Sequence, residues 1–174
     1  SNNYDLPSIP LYEKCKEVTA VSLFSGGMDS LIGAIDLAQS EPGKIFLASH
    51  YDSTMGGPKG DQNKVFKMLN EHYPEKFFRF KKAVRIQPQK QKNSELSSRS
   101  RSLMFFAIAA IVAEALGTDI VIPENGSVSL NYPLSDSRRS ACSTRTTHPI
   151  MVNQFNNLLL CLGVKTRAHN PCTI

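Results

Sequence analysis

The chain has 174 residues, of which 41% are hydrophobic and 20% are charged, and its formal net charge is +5. This composition is typical of one globular domain that buries a real core, and the positive charge suits an anionic partner. The longest apolar run, residues 103–113, is too short to span a bilayer, and residues 1–17 lack the apolar centre of a signal peptide. We therefore expect a cytoplasmic protein without a membrane segment.

Strands and helices alternate along the sequence from residue 18 onward. Short apolar or β-branched runs predict strands at residues 18–24, 44–49, 77–86, 118–123 and 164–170. Helical spacing of apolar residues predicts helices at 31–39, from an N-cap at Asp61 to Tyr73, at 99–116, and from Pro149 to Leu162. The apolar centre of the third helix indicates that this helix is buried all round. Residues 1–17 are predicted to be irregular.

This order of elements predicts an α/β fold built on a doubly wound parallel sheet of about five strands, with helices on both faces. In such sheets, ligands lie beyond the carboxyl ends of the strands. Residues 25–30, 50–52 and 124–126 all follow a predicted strand. We therefore expect these three segments to meet at one edge of the sheet.

Residues 25–30, Ser-Gly-Gly-Met-Asp-Ser, form the predicted turn between the first strand and the first helix. Two adjacent glycines allow a close approach of the backbone, and amides at a helix start bind anions. Ser25 and Ser30 add hydroxyl donors. The segment therefore predicts a phosphate or pyrophosphate cradle, although a plain Gly-Gly turn with helix-capping residues remains the alternative.

Asp29 distinguishes this cradle from commoner ones. The lysine of a Walker A loop and the Gly-x-Gly-x-x-Gly of a dinucleotide site are both absent. A carboxylate would repel phosphates unless a cation lay between them, and Mg²⁺ uses one or two carboxylates with phosphate oxygens. Asp29 is therefore the predicted Mg²⁺ ligand.

Three further segments carry candidate polar groups. Arg99, Arg101 and Ser102 lie at the start of the third helix, where an anion would offset arginine at a positive helix end. A second donor-rich stretch precedes the last helix, and a third group follows the fourth strand: Thr144, Arg145, Thr147 and His148; then Glu124, Asn125 and Gly126. Solvated linkers, a Ser/Thr cap and a plain turn are the respective alternatives.

Two other features received structural interpretations. The basic run between Arg79 and Arg101 carries a single acidic residue, Glu95, and lacks interleaved aromatics in its loop, so we interpret it as a solvated positive face rather than an RNA surface. The cysteines at 15, 142, 161 and 172 form no Cys-x-x-Cys pair. They are therefore expected to be reduced thiols rather than a zinc knuckle.

The motif at 25–30 resembles the PP-loop of the N-type ATP pyrophosphatases, whose fold is adenine nucleotide alpha hydrolase-like. The wider pattern is similar to the QueC family of 7-cyano-7-deazaguanine synthases, and most to the antiphage-defence subgroup that includes QatC. The residues that carry this resemblance are 24–30, 50–52, 59–62, 97–102, 124–126, 130–134, 143–149 and 170–171. It implies a PP-loop domain over residues 18–174.

The resemblance implies an ATP-dependent ligase that uses ATP and Mg²⁺ to adenylate a 7-carboxy-7-deazaguanine-type carboxylate, with release of pyrophosphate. Binding of ATP falls to Leu23, Phe24, Ser25, Gly26, Gly27, Asp29, Ser30, His50 and Tyr51. Asp29, Arg101 and Arg145 take the catalytic roles, and Arg99, Ser102, residues 124–126, Thr144, Thr147 and His148 border the substrate. A homodimer and a protein partner from a defence operon are also implied, without nucleic acid.

The sequence departs from the family in two respects. The four-cysteine zinc site that ends QueC proteins is not seen, and the chain stops at Ile174, soon after its Asn-Pro. We therefore expect a domain truncated at its C-terminus, with zinc possible only in the missing part. A tRNA-modifying PP-loop enzyme and a catalytically inactive nucleotide-binding scaffold remain alternative functions.

Overall fold

The computed structural model describes residues 17–51, 56–84, 101–123 and 147–171; the side chains of residues 56–58 and 101 lie outside the description. The described strands are β1 (Val18–Leu23), β2 (Lys44–Tyr51), β3 (Phe77–Ala83), β4 (Ile120–Val121) and β5 (Ala168–His169). The described helices are α1 (Met28–Ser40), α2 (Gly56–His72), α3 (Arg101–Leu116) and α4 (Pro149–Cys161).

The five strands form one parallel sheet in the order β3-β2-β1-β4-β5. The chain winds outward from β1 in one direction through β2 and β3, and in the other through β4 and β5. The predicted doubly wound α/β fold is therefore confirmed. Strand β1 is buried along nearly its whole length, as expected for a central strand covered on both faces.

Helices cover both faces of the sheet. On one face, α3 and α4 pack their apolar sides against the sheet, in a cluster that includes Phe106, Phe155 and Ile122. On the other face, α1 and α2 pack against Phe24 and Leu47. The side chains of β1 alternate between these two clusters, with Val21 and Leu23 in the first and Ala20 in the second, so this strand joins both halves of the core.

Two helices begin earlier than the sequence predicted. Helix α2 begins at Gly56, and Asp61 is an exposed residue inside it rather than its N-cap. Pro58 is compatible with this start because proline is tolerated in the first helical turn, where no intrahelical amide bond is lost. Helix α1 begins at Met28, three residues before the predicted start, because Gly27 occupies the N-cap position.

Helix α3 is buried on one side only, which corrects the expectation that it is buried all round. Ala109 and Ala113 are fully buried, whereas Leu103 is 43% exposed and Ile111 is 73% exposed. The sequence could not separate the two sides because both are apolar, so the pattern lacks the polar stripe that marks a solvent face.

Strands β3, β4 and β5 are shorter than predicted. Strands β4 and β5 pair through two residues each, Ile120 and Val121 with Ala168 and His169. Strand β3 ends at Ala83, and the last two residues of its predicted range lie outside the described residues. No helix in the described part of the chain is long and apolar enough to cross a membrane. Cys161 is an exposed free thiol, and the other three cysteines are outside the description.

Glu114 connects the end of α3 by hydrogen bonds to the segment that precedes β5. Its carboxylate accepts hydrogen bonds from the backbone amides of Lys165 at 2.9 Å and Thr166 at 3.0 Å. The bond from Thr166 is the largest cause that lowers the pKa of Glu114 below its ordinary value of 4.5. The ionised carboxylate therefore stabilises the folded chain.

The lowered pKa gives a testable pH dependence. Because the native pKa lies below the unfolded one, the contribution of Glu114 is complete above pH 4.5 and disappears as the pH falls through the native pKa. We expect Glu114→Gln to lower the thermal unfolding midpoint at neutral pH, and the gap from wild type to narrow as the pH falls below 4.5. A gap that stays constant from pH 7 to pH 3 would contradict this assignment.

Candidate functional site

The Ser25–Ser30 turn lies where the sheet reverses its winding. It follows β1, whose two neighbours in the sheet are β2 and β4, and the backbone amide of Phe24 donates to the carbonyl of Ala48 at 2.9 Å. Crevices at such a reversal, outside the carboxyl ends of the strands, are the usual ligand sites of open α/β sheets. The fold therefore puts the predicted cradle at this position.

Two serine hydroxyls organise the cradle. The Ser30 Oγ donates to the carbonyl oxygen of Gly27 at 2.8 Å and accepts from the amide of Gly26 at 3.1 Å. The Ser25 Oγ accepts from the amide of Gly27 at 3.3 Å and donates to the Ser30 Oγ at 3.4 Å. Ser30 is buried, whereas Ser25 is exposed. The loop is thus a small closed network of amides and hydroxyls at the start of α1.

Gly26 is required by both its conformation and its surroundings. Its φ is +83°, in the left-handed region that favours glycine. A Cβ at this position would lie 2.8 Å from the backbone nitrogen of Gln62 and 2.9 Å from its Cα. The cradle therefore rests directly on the backbone of α2.

Gln62 holds this contact in place from the side of α2, and the sequence analysis did not assign this residue to the site. Its side chain is 1% exposed, and its Nε2 donates to the carbonyl of His50 at 2.9 Å. The Arg79 guanidinium donates to the backbone carbonyl of Gln62 at 2.9 Å. Gln62 thereby connects the cradle, the end of β2 and strand β3. Its sequence signals were its place in the 59–62 segment of the family resemblance and a polar residue at a position that proved to be the buried side of α2.

A cavity of about 120 Å³ opens beside the cradle. Its walls come from the loop and α1, from α3, and from the second residue after β4: Leu23, Ser25, Gly27, Met28, Asp29 and Ser30; Ser102, Phe105 and Phe106; and Pro123. Pockets that enclose whole ligands measure roughly 300–1,000 Å³. This cavity therefore suits phosphate-sized groups, and the rest of a nucleotide would extend beyond it.

At Gly33, helix α1 packs very closely against Pro123, which lines the cavity on the side of β4. A Cβ at Gly33 would overlap the ring of Pro123. The absence of a side chain at Gly33 thus sets the separation between α1 and the end of β4, and it fixes the width of the cavity on that side.

Several predicted site residues come together here and others do not. Leu23, Ser25, Gly27, Asp29, Ser30 and Ser102 line the cavity, and Gly26 supports the loop. Phe24 is fully buried in the core between the sheet and α1, so its side chain does not line the cavity. His50 and Tyr51 end β2, and the buried His50 ring stands edge-on to Phe105, 4.0 Å between ring centroids.

Thr147 and His148 are the two residues before α4, and both were predicted to border the substrate. His148 is the N-cap, and its Nδ1 accepts a hydrogen bond from the amide of Ile150 at 3.2 Å. The cap is thus histidine rather than the Thr147 that a Ser/Thr-rich cap would use. Thr147 is 1% exposed, and its hydroxyl has no hydrogen-bond partner among the described residues.

The remaining predicted residues lie outside the description. Helix α3 begins at Arg101, whose side chain is not described, and the others have no described position: Arg99, Glu124, Asn125, Gly126, Thr144 and Arg145. Their roles stay predictions. Besides Gln62, which supports the cradle, the sequence analysis missed four residues that line the cavity, namely Met28, Phe105, Phe106 and Pro123. Pro123 was foreseeable as the last residue of a predicted strand, whereas the two phenylalanines were hidden within an apolar helix.

Asp29 is the acidic group of the cavity. It is exposed in the first turn of α1, where a carboxylate also interacts favourably with the helix dipole. A carboxylate beside hydroxyls and amides that could bind phosphate fits the way proteins hold Mg²⁺, which takes most of its ligands from phosphates and water. Within the described ranges, no group of three or more His, Cys, Asp or Glu side chains could hold a metal without such help.

A larger depression of about 780 Å³ lies at the opposite edge of the sheet. It includes Thr19, Thr118 and Thr166 near the amino ends of β1, β4 and β5. Two carboxylates of its described lining are engaged in structure, since Glu114 accepts the amides described above and Asp119 accepts the amide of Arg167 at 2.8 Å. The carboxyl edge with its cradle is therefore the better candidate site.

The comparisons with known proteins support the fold. No family model and no curated protein sequence matches the chain. An NH3-dependent NAD synthetase from Campylobacter jejuni, solved in complex with the nitrate ion, matches with a TM-score of 0.50 and 14% identity, over 87% of this chain and 82% of that one. This likeness confirms the expected adenine nucleotide alpha hydrolase-like fold.

A yeast short chain dehydrogenase/reductase, YIR035C from Saccharomyces cerevisiae, also aligns with the chain. Its TM-score is 0.43 and its identity 8%, over 88% of this chain and 70% of that one. A likeness of that size does not bear on the function of this chain.

Proposed function

We propose that this chain is an ATP pyrophosphatase of the PP-loop type, which adenylates a carboxylate and releases pyrophosphate. The observation that carries the proposal is the serine-organised loop at the reversal of the sheet, with Asp29 at its mouth. The fold it shares with an NAD synthetase supports the same chemistry. A plain Gly-Gly turn would not need Gly26 pressed against α2, nor a cavity beside the loop.

In the proposed reaction, the cradle binds the β and γ phosphates of ATP. A carboxylate oxygen of the substrate attacks the α phosphorus, the bond from that phosphorus to the bridging oxygen breaks, and pyrophosphate leaves. The backbone amides at the start of α1 would neutralise charge on the departing group, and the Ser25 and Ser30 hydroxyls would do so after turning their protons from the Ser30 Oγ and the Gly27 carbonyl toward the phosphates. Mg²⁺, when held by Asp29 and the phosphates, would neutralise further charge.

The chain's main contribution would be to position the reactants. Adenylation itself makes the electrophile, so fixed donors and a fixed geometry supply most of what the protein must provide. Phe105 and Phe106 form an apolar wall that excludes water from the phosphates. The end of β2 at His50 and Tyr51, together with Leu23, would border the adenine.

We further propose that the substrate is a 7-carboxy-7-deazaguanine-type carboxylate, as in the QueC family, in antiphage defence or modified-base synthesis. Arg101 and Arg145 would then bind the acyl substrate or the α-phosphate, with residues 124–126 and Thr144 nearby. Support for this finer proposal comes from the sequence resemblance alone. The same resemblance is the basis for a homodimer and for a partner from a defence operon.

The test is pyrophosphate release from ATP with three candidate substrates. We expect 7-carboxy-7-deazaguanine to stimulate release, and the analogue without the carboxylate to be weaker by roughly 10- to 100-fold, because a guanidinium left without its partner costs about 1–3 kcal/mol. Mass spectrometry of the products would identify the adenylate or amide. Release with tRNA alone would support the tRNA-modifying alternative, and no release with any substrate would support the scaffold alternative.

A further inference from the structure

Three cationic side chains converge at the carboxyl ends of β2 and β3, outside the cavity of the cradle. The Arg79 guanidinium and the Lys81 ammonium both donate to the Asn63 Oδ1, at 2.9 Å and 3.0 Å. The ammonium groups of Lys59 and Lys81 lie 5.4 Å and 5.5 Å from the centre of the Tyr51 ring. We call Lys59, Arg79 and Lys81 the cationic cluster.

The cationic cluster has no carboxylate within the described ranges. The ion pairs described there join Lys44 to Glu17 and Lys67 to Glu71, and neither involves a member of the cluster. Like charges placed this close together repel one another, most strongly where solvent screens them incompletely. The pKa of Lys81 is lowered by partial burial and by the charges of Arg79 and Lys59, in agreement with this repulsion.

Neutral groups hold the cationic cluster together in place of carboxylates. The Arg79 guanidinium stacks over the Phe66 ring, 4.3 Å from its centre, while its nitrogens bond to the Gln62 carbonyl and to Asn63. The position of Arg79 is thus fixed, with two of its five N–H donors occupied. The lysines are not saturated, since each ammonium carries three donors and Lys81 uses one of them on Asn63. Lys59 and Lys81 therefore retain donors for an external ligand.

The location of the cationic cluster connects it with the candidate site. Gln62, whose carbonyl accepts from Arg79, is the residue on which Gly26 of the cradle rests. Tyr51, the ring between the two lysines, is the last residue of β2 on the ligand edge of the sheet. A ligand at the cluster would thus lie on the same edge as the cradle, one strand further out.

We propose that Lys59, Arg79 and Lys81 form a second anion site, which takes the phosphate groups of a polyanion. Lysine ammonium groups bind phosphate as point charges, and three adjacent cations match a multiply charged phosphate better than a single carboxylate. The phosphates could belong to a nucleic-acid strand or to a free polyphosphate, and the two sources are separated below. This proposal replaces the interpretation of Arg79 and Lys81 as part of a solvated positive face.

The test compares the lysine double variant Lys59→Gln/Lys81→Gln with the control Lys64→Gln/Lys67→Gln. The control removes the same charge from exposed positions of α2, and Lys67 lies 3.8 Å from Glu71 in its ion pair. Binding of a fluorescent 12-residue single-stranded RNA is followed by anisotropy over a salt series, and binding of inorganic tripolyphosphate by calorimetry. Neither measurement contains ATP, so the result does not depend on the proposed adenylation.

We expect the lysine double variant to lose about tenfold or more in affinity for at least one probe, and the control to stay within about threefold. For RNA, the slope of log K against log salt is negative, and in the lysine double variant it should become less negative by roughly 1 to 2. Loss with both probes shows that phosphate alone suffices, and loss with RNA alone identifies a strand as the ligand. Loss with tripolyphosphate alone identifies a free polyphosphate.

Two outcomes overturn the proposal. One is the absence of any binding that depends on the two lysines, with either probe. The other is an equal loss in the Lys64→Gln/Lys67→Gln control, which would indicate only a general effect of net charge. A third variant, Lys59→Arg/Lys81→Arg, guards against misfolding. It retains the charges and should retain binding, and if it binds as weakly as the glutamine variant, the site is not built on charge.

Discussion

Asp29→Ala is expected to lower pyrophosphate release by roughly 10²- to 10³-fold, the usual effect of removing one positioned electrostatic group. The fold should remain intact, because Asp29 is exposed and its main structural contribution is a helix-dipole interaction of ~0.3–1 kcal/mol. The measurement is steady-state pyrophosphate release over a Mg²⁺ titration, together with thermal unfolding of both proteins.

Asp36→Ala is the matched control, since Asp36 is an exposed carboxylate in the same helix and does not line the cavity. It should release pyrophosphate at the wild-type rate. Normal turnover of Asp29→Ala with Mg²⁺ would remove Asp29 from the proposed metal-binding role, while leaving the serine and amide cradle unaffected.

Gly26→Ala is expected to have the largest combined effect on stability and activity. Alanine at φ +83° costs about 1–2 kcal/mol, and its Cβ would lie 2.8 Å from the backbone nitrogen of Gln62, which adds an overpacking cost of ~1–3 kcal/mol. The loop can relieve this overlap only by moving away from α2, which displaces the amide bonded to Ser30. We therefore expect a loss of about 2–5 kcal/mol in the free energy of unfolding and a further loss of ATP binding.

Gly163→Ala separates the two causes. Gly163 has a similar φ of +73°, but a Cβ there would meet nothing within 4 Å, and the residue follows α4 away from the cavity. It should lose only about 1–2 kcal/mol and keep ATP binding. Chemical denaturation and nucleotide titration of both variants test this. If Gly26→Ala behaved like Gly163→Ala, the close contact with Gln62 would have no functional role.

The sequence predicted the fold well because its signals there are local. Each strand is a short run that contains apolar or β-branched residues, most of the helices show a helical repeat, and their alternation implies a parallel sheet with helices on both faces. Where prediction failed, the deciding interaction was tertiary. The start of α2 at Gly56 follows from no N-cap pattern, and the exposed side of α3 at Ile111 is as apolar as its buried side.

In the candidate site, too, features with a local sequence signal were predictable and features that depend on tertiary contacts were not. The cradle was predictable because its glycines, serines and aspartate are consecutive in the sequence. Gln62 was not, because its importance comes from a contact with a glycine 36 residues earlier in the chain (Gly26), and a buried glutamine has no periodic signature. The cationic cluster was visible as a basic run, yet Lys59 joins it from another element and Asn63 and Tyr51 give it its shape.

The central place of β1 has a consequence for how the protein fluctuates. Its backbone bonds to β2 on one side and to β4 on the other, and it lies between both halves of the core. Amide hydrogens in such a strand exchange with solvent only when the domain opens globally, whereas edge strands open locally at lower free energy. The cradle follows β1 directly, and β1 is the segment that opens last. Two residues of the cationic cluster, Arg79 and Lys81, lie in the edge strand β3. The cradle is therefore held rigid by the stability of the whole domain, whereas the cationic cluster can move without unfolding it.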